Sequence, residues 1–140
     1  MMFSLNRNLH KFNWKIIGNI IGHVILIEGF LLILPLFVNF LYGESAGSAY
    51  IKAILICFIF GLPLSRIKGS HASYYAKDGM VAVGLSWVIL SIFGGLPFYF
   101  TKEIPSFVDC FFETVSGFTT TGSSILTDVE VLSHASLFWR

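Results

Sequence analysis

The sequence predicts an all-α membrane protein: two N-terminal transmembrane helices, then one helix–short helix–extended strand unit whose second long helix is cut short. Three observations carry this. Hydrophobic residues make up 55% of the chain and charged residues 12%, whereas soluble domains carry about a quarter charged. Three apolar runs approach or exceed the ~20 residues that a bilayer-crossing helix needs. After the third run comes a short amphipathic stretch that ends in a polar Thr/Gly/Ser tract. With a mean hydropathy of +0.77 over 140 residues, one soluble core could not hide this apolar surface, so the solvent is lipid. The net charge of +1 argues against a nucleic-acid partner, which calls for a clustered basic face.

The elements follow in chain order. Residues 1–15 form a basic N-terminus holding Arg7, Lys11 and Lys15. No cleavable signal peptide is expected, because the apolar run that follows is far longer than an h-region and has no small-residue cleavage site after it. Residues 16–66 hold the N-terminal helix pair. Its first span runs from about Ile16 to Leu41, interrupted by Asn19, His23, Glu28 and Asn39; its second runs from about Ala49 to Leu64, with Lys52 near its start. Residues 67–79 form a loop beside Arg66, with Lys68 and Lys77 in it. The final unit covers 80–140: an uncharged outer helix over 80–100, a short helix over 106–116, an extended strand over 118–124, and a new helix beginning at 137–140.

The charges sort by side. Bases precede span one and lie between spans two and three. The loop after span one holds Glu44 and no base. The segment after Phe100 holds Glu103, Asp109, Glu113, Asp128 and Glu130 against Lys102. Basic loops stay in the cytoplasm, so the N-terminus is inside and the segment after Phe100 is outside a cytoplasmic or inner cell membrane.

Several residues inside or beside the spans ask for a role. Lys52 can snorkel its ammonium to the headgroups. A carboxylate at the depth of Glu28 must face protein or be protonated; His23, five residues earlier, shares no clean helical face with it, so the two make no relay. Trp14, Tyr42, Tyr50 and Tyr99 read as interfacial anchors. Gly94, Gly95 and Pro97 read as a close helix approach and a bend. Cys57 and Cys110 stand apart from any metal-binding or redox spacing. The loop tract His71-Ala72-Ser73-Tyr74-Tyr75 is a possible contact for a regulator.

The chemistry lies in Thr101 to Ser124, TKEIPSFVDCFFETVSGFTTTGSS. Ser106 and Asp109 form an S-x-x-D capping pattern. Val108, Phe111, Phe112 and Val115 make a helical apolar stripe, and Gly117 supplies the usual stop. A helix of about ten residues cannot cross the bilayer. It must lie on the surface or re-enter, and irregular backbone at membrane depth is tolerated only where it lines a water-filled cavity or is buried in protein. A re-entrant helix points the negative end of its dipole inward, which favours a cation. The strand after it can turn backbone carbonyls inward to replace a cation's water shell, as TVGYG does in potassium channels. Thr120-Thr121-Gly122 lines up with the first three residues of that motif. Thr120, Thr121 and Gly122 are therefore candidates to hold a cation by their carbonyls. Asp109 and Glu113 either concentrate cations at the mouth or serve as a cap and a packing hydrogen bond.

The run DCFFETVSGFTTTGSSIL resembles the first pore-helix and filter segment of TrkH-type potassium uptake proteins, of the Trk/Ktr/HKT cation transporter superfamily. Lys77-Asp78-Gly79 with MVAVGLSWVILSIFGGLPF resembles the start and first helix of that repeat, and Leu137-Phe138-Trp139-Arg140 the start of the next helix. The specific resemblance covers about residues 77 to 140; before Lys77 it is mostly hydropathy. It implies four linked helix–pore–helix repeats around one pore, of which this chain holds one, supplying a quarter of the selectivity filter. Carried over by position, the resemblance makes Thr119, Thr120, Thr121, Gly122 and Ser123 ion-binding filter residues, with potassium held by the carbonyls of Thr120, Thr121 and Gly122. It also implies a dimer of full-length chains, a cytoplasmic nucleotide-binding TrkA-like regulator, and potassium as substrate with no cofactor in this chain.

Two other classes remain open to the residues. A homo-tetrameric channel would take one filter strand from each of four chains. An intramembrane serine hydrolase would use Ser116 or Ser123 with His23 or His134, but no G-x-S-x-G elbow is present, so no enzyme is expected.

Overall fold

The computed structural model describes residues 12–68 and 76–140. Arg7, Lys11 and the tract His71–Tyr75 lie outside the described residues. Among the described residues every regular element is a helix, and three stretches are long and apolar enough to cross a membrane.

The first is a single 29-residue path, Trp14–Tyr42, broken into α1 (Trp14–Leu31) and α2 (Ile33–Tyr42). The Asn13 side chain caps α1 by accepting from the Ile16 N–H. The break falls at Leu32, with φ −63° and ψ −14°. Pro35 is its cause: proline has no N–H for the Leu31 carbonyl, and its ring crowds that turn. Gly43 ends α2 at φ +64°. Its N–H and that of Glu44 return to the carbonyls of Phe40 and Asn39, a left-handed cap. A short turn leads into α3 (Gly47–Ser65), which packs along α1.

What lets α1 and α3 meet is missing side chain. A Cβ on Gly22 would lie 2.3 Å from the Ser65 nitrogen and 2.6 Å from the Leu64 carbonyl carbon. Backbone sits there, and backbone cannot rotate aside. Asn19, one turn earlier, donates from Nδ2 to the carbonyls of Ser65 and Ile67, filling acceptors at the end of α3 that have no partner inside the helix. Gly22→Ala is therefore expected to destabilise the folded protein by about 3 kcal/mol, the upper end of ordinary overpacking costs. Reversible detergent unfolding of the full-length protein measures it; a cost below about 1 kcal/mol would mean that the crossing adjusts freely.

The third crossing, α4 (Ala76–Thr101), starts four residues before the expected Met80. Its first turn docks on the start of α1, where the Asn13 N–H donates to Asp78 Oδ1 at 3.2 Å and Asp78 is fully buried. The core is Ile17, Ile21 and Ile25 of α1 with Leu32, Tyr50, Ala53, Cys57, Ala82 and Ala135. Phe30, Phe37, Phe40, Ile59, Met80 and Val83 are exposed, an apolar outer surface suited to lipid or further helices.

Two short helices complete the chain, α5 (Phe107–Phe118) and α6 (His134–Trp139). The new helix starts at His134, three residues before Leu137, so His134 belongs to a helix start rather than to a loop. Tyr50 is not an interfacial anchor. It is fully buried, with its hydroxyl 3.1 Å from Ser136 Oγ on α6; Trp14, Tyr42 and Tyr99 are exposed.

Glu44, in the turn before α3, holds the start of α6. Its carboxylate accepts from the backbone N–H groups of His134 and Ala135, and the His134 ring Nδ1 lies 2.8 Å from Oε1. The Tyr42 ring stacks on the His134 ring at 4.0 Å. Burial acts to raise the Glu44 carboxyl, but these donors and the His134 charge outweigh it and hold it below its usual value. A lowered folded-state pKa gives stability that is present above the unfolded value and is lost as pH falls through the folded one. Acidifying below about pH 4 is expected to lower the melting temperature of the wild type more than that of Glu44→Gln. Parallel melting curves for the two would remove this role.

Candidate functional site

The site grows out of α5. At 12 residues it is about 18 Å long, too short for a ~30 Å hydrocarbon core. Asp109 lies in its first turn, and Ser106 occupies the cap position with extended backbone, but the Ser106 side chain makes no capping hydrogen bond. The S-x-x-D pattern thus marks where the helix begins without the side-chain bond that usually accompanies it. Nor does Gly117 stop the helix, which continues to Phe118. Gly117 instead makes room: a Cβ there would lie 2.9 Å from the carbonyl oxygen of Arg140.

Phe118 is still helical, so the extended stretch expected over 118–124 is shorter: the chain leaves the helix through a turn over 119–120 into an exposed strand without regular pairing. The Thr119 N–H bonds to the Val115 carbonyl, that of Thr120 to Gly117, and that of Thr121 to Ser116. The N–H groups are thus spent on the end of α5, whose dipole is negative there. Two residues of the strand have positive φ, Thr120 at +56° and Gly122 at +74°. Alternate residues therefore differ in backbone handedness, which allows carbonyls to leave on one side rather than on alternating faces as in a pleated strand. For Thr120 the conformation is strained, at a cost on the order of 1–3 kcal/mol. The hydroxyls of Thr119 and Thr121 lie 2.8 Å apart, and that of Thr119 also donates to the Val115 carbonyl.

Side chains of α5 tie the far end of the strand down. The Ser116 hydroxyl donates to the Ser123 carbonyl at 2.5 Å. Glu113 Oε1 accepts from the Ser124 hydroxyl and from the Ile125 N–H at 2.8 Å. Glu113 Oε2 accepts from Arg140 Nε at 2.9 Å, and the Glu113 side chain is 1% exposed. Of the two sequence readings of Glu113, the structure selects the packing hydrogen bond. Ser116, considered above only as a nucleophile, holds the Ser123 carbonyl, and neither His23 nor His134 is its hydrogen-bond partner. The tie was partly readable: Glu113 and Ser116 stand three apart and so share one face of α5. That this face meets the returning strand was not.

Among the described residues no group of three or more His, Cys, Asp or Glu side chains could hold a metal ion. What the segment offers a cation is a row of carbonyls and hydroxyls at the negative end of a short helix. The described residues thus hold three helical stretches of membrane-crossing length, a half-length helix and a tied-down polar strand.

The comparisons with known proteins agree. No family model matches the chain. It is 34% identical over 122 residues to an uncharacterized cation transporter of Methanocaldococcus jannaschii, covering 87% of this chain and 26% of that protein. It is 34% identical over 134 residues to the Trk system potassium uptake protein TrkH of Salmonella typhimurium, covering 91% of this chain and 27% of that one. The crystal structure of the potassium transporter TrkH from Vibrio parahaemolyticus superposes with a TM-score of 0.82 at 27% identity, over 90% of this chain and 27% of that chain. The chain thus spans about a quarter of the length of the relatives it matches, and over that span it is a TrkH-type segment in sequence and in fold.

Proposed function

We propose that this segment supplies one quarter of the selectivity filter of a potassium uptake protein in a cytoplasmic or inner membrane. The observation that carries the reading is the strand itself: exposed, alternating in the sign of φ at Thr120 and Gly122, and seated on a half-length helix. In this reading the carbonyls of Thr120, Thr121 and Gly122 replace part of the ion's water shell, while Thr119 and Ser123 flank them. Ser123 sits at the tied end, its carbonyl already accepting from Ser116. One strand cannot surround an ion, so three equivalent strands must complete the ring. The names of the relatives support potassium as the ion. The sorted charges support a cytoplasmic N-terminus. A homodimer of full-length chains and a nucleotide-binding TrkA-like regulator complete the proposed system.

The test is complementation. The full-length gene containing this segment is expressed in cells lacking potassium uptake, and rubidium influx is measured with and without competing potassium or sodium. Growth at low potassium, with influx blocked by potassium and not by sodium, is expected. Equal competition by sodium would overturn the potassium reading while leaving a cation pore.

A further inference from the structure

Gly94, on α4, is the point where three other helices meet. A Cβ placed there would lie 2.7 Å from Glu28 Oε1 of α1, 2.8 Å from Thr114 Cγ2 and 3.2 Å from Phe118 Cε2, the last two on α5. The Trp139 indole of α6 donates to the Gly94 carbonyl at 2.9 Å, and the Phe118 ring meets the Trp139 ring edge-on. Within this junction Glu28 is 1% exposed. Neither of its carboxyl oxygens has a hydrogen-bond partner among the described residues.

The surrounding groups bring no compensating charge. On α1 the nearest titratable residue, His23, is exposed and bonded to the Asn19 carbonyl. Helix α3 presents the buried Cys57 thiol, and α4 presents Gly94 itself. On α5, Thr114 donates its hydroxyl to the Cys110 carbonyl, Phe118 is apolar, and Glu113 is occupied by Ser124, Ile125 and Arg140. The Trp139 N–H is spent on Gly94. A bare carboxylate enclosed in such a site is costly enough that it takes a proton or a counter-ion.

We propose that Glu28 is a membrane-buried proton-binding site, and that its bound hydrogen ion is what allows α5 and α6 to close against α4 at Gly94. The site lies apart from the residues proposed to hold the ion, and its ligand is a proton. Removing the proton would leave a negative charge beside the C-terminal end of α5, where the helix dipole is already negative. The repulsion would move α5, and Ser116 and Glu113 would carry the movement into the filter strand. The proton site stands independently of the ion assignment; its coupling to the filter rests on the proposed potassium pore.

Infrared difference spectra of the full-length protein in lipid, wild type against Glu28→Gln, test both parts. The expected wild-type spectrum contains a protonated-carboxyl C=O band that is lost in the variant, persists through the neutral pH range and exchanges slowly in heavy water. Thr114→Ser, which removes the methyl at Gly94 and keeps the hydroxyl, is expected to shift that band. Carboxylate bands assigned to Glu28 instead, whether or not they respond to added sodium or potassium, would overturn the site. Replacing potassium by sodium in the medium is expected to shift the acid band as well. A band that is present but indifferent to the cation keeps the proton site and overturns the coupling.

Discussion

Rubidium influx through a full-length protein carrying Gly122→Ala is expected to fall by about tenfold, with the amount and thermal stability of the protein little changed. Nothing lies within 4 Å of a Cβ at Gly122, so the substitution meets no steric obstacle. The cost lies in the backbone. At φ +74° an L-residue with a side chain is disfavoured by about 1–2 kcal/mol, and that energy changes a two-state population by a factor of about 5–30. The exposed strand can relax by turning the peptide after Thr121, which withdraws a carbonyl from the proposed ion path. Gly43 supplies the control. It has φ +64° and equally open space, but it sits in the turn after α2, away from the polar strand. Gly43→Ala therefore carries similar strain and should cost stability while leaving ion preference alone. If Gly122→Ala conducts as well as Gly43→Ala, the Thr121 carbonyl takes no part in transport.

The parts of this fold that were legible in the sequence are those set by composition over a long window. Lipid solvent demands runs of apolar residues, so the three crossings stood out even with Asn19 and Glu28 inside one of them. The half-length helix was legible because both its apolar stripe and its polar ending are local. Gly117 was misread for a physical reason: a glycine that ends a helix and one that admits a neighbouring backbone look identical in sequence, and the neighbour, Arg140, is 23 positions away. Tyr50 was misread in the same way. An aromatic at a span end is an anchor only if its face is free, and here α6 returns from 86 residues further along to cover it. Positive φ at Gly122 is readable from the residue type, because glycine adopts it at no steric cost. At Thr120 it is not, because threonine resists that conformation and only the surrounding hydrogen bonds impose it. Glu28 was recognised as requiring protein or a proton, but the convergence on Gly94 depends on three helices that no single window contains.

Glu113→Ala should produce the largest loss of stability among changes near the polar strand. It strips the Ser124 hydroxyl, the Ile125 N–H and the Arg140 guanidinium of their shared acceptor at once. Breaking a buried ion pair from one side costs about 3–5 kcal/mol. The Arg140 side chain is 26% exposed, so water meets part of the orphaned charge and a value of about 3 kcal/mol is expected. Glu113→Gln separates geometry from charge. Its amide oxygen can still accept from Ser124 and Ile125, but its NH2 then faces the Arg140 donor, where no bond can form. Stability should rank wild type, Gln, Ala, and the potassium-over-sodium influx ratio should follow the same order, because the strand end is held by the same carboxylate that anchors Arg140. A fall in stability with an unchanged ratio would reduce Glu113 to a packing residue. A double-mutant cycle with Arg140→Ala completes the test: if the pair is coupled, Glu113→Ala costs less in that background, and the difference is the interaction energy itself. Additive costs would mean that Arg140 is held by its own helix, and that the strand end hangs on Ser116 and the two remaining Glu113 bonds.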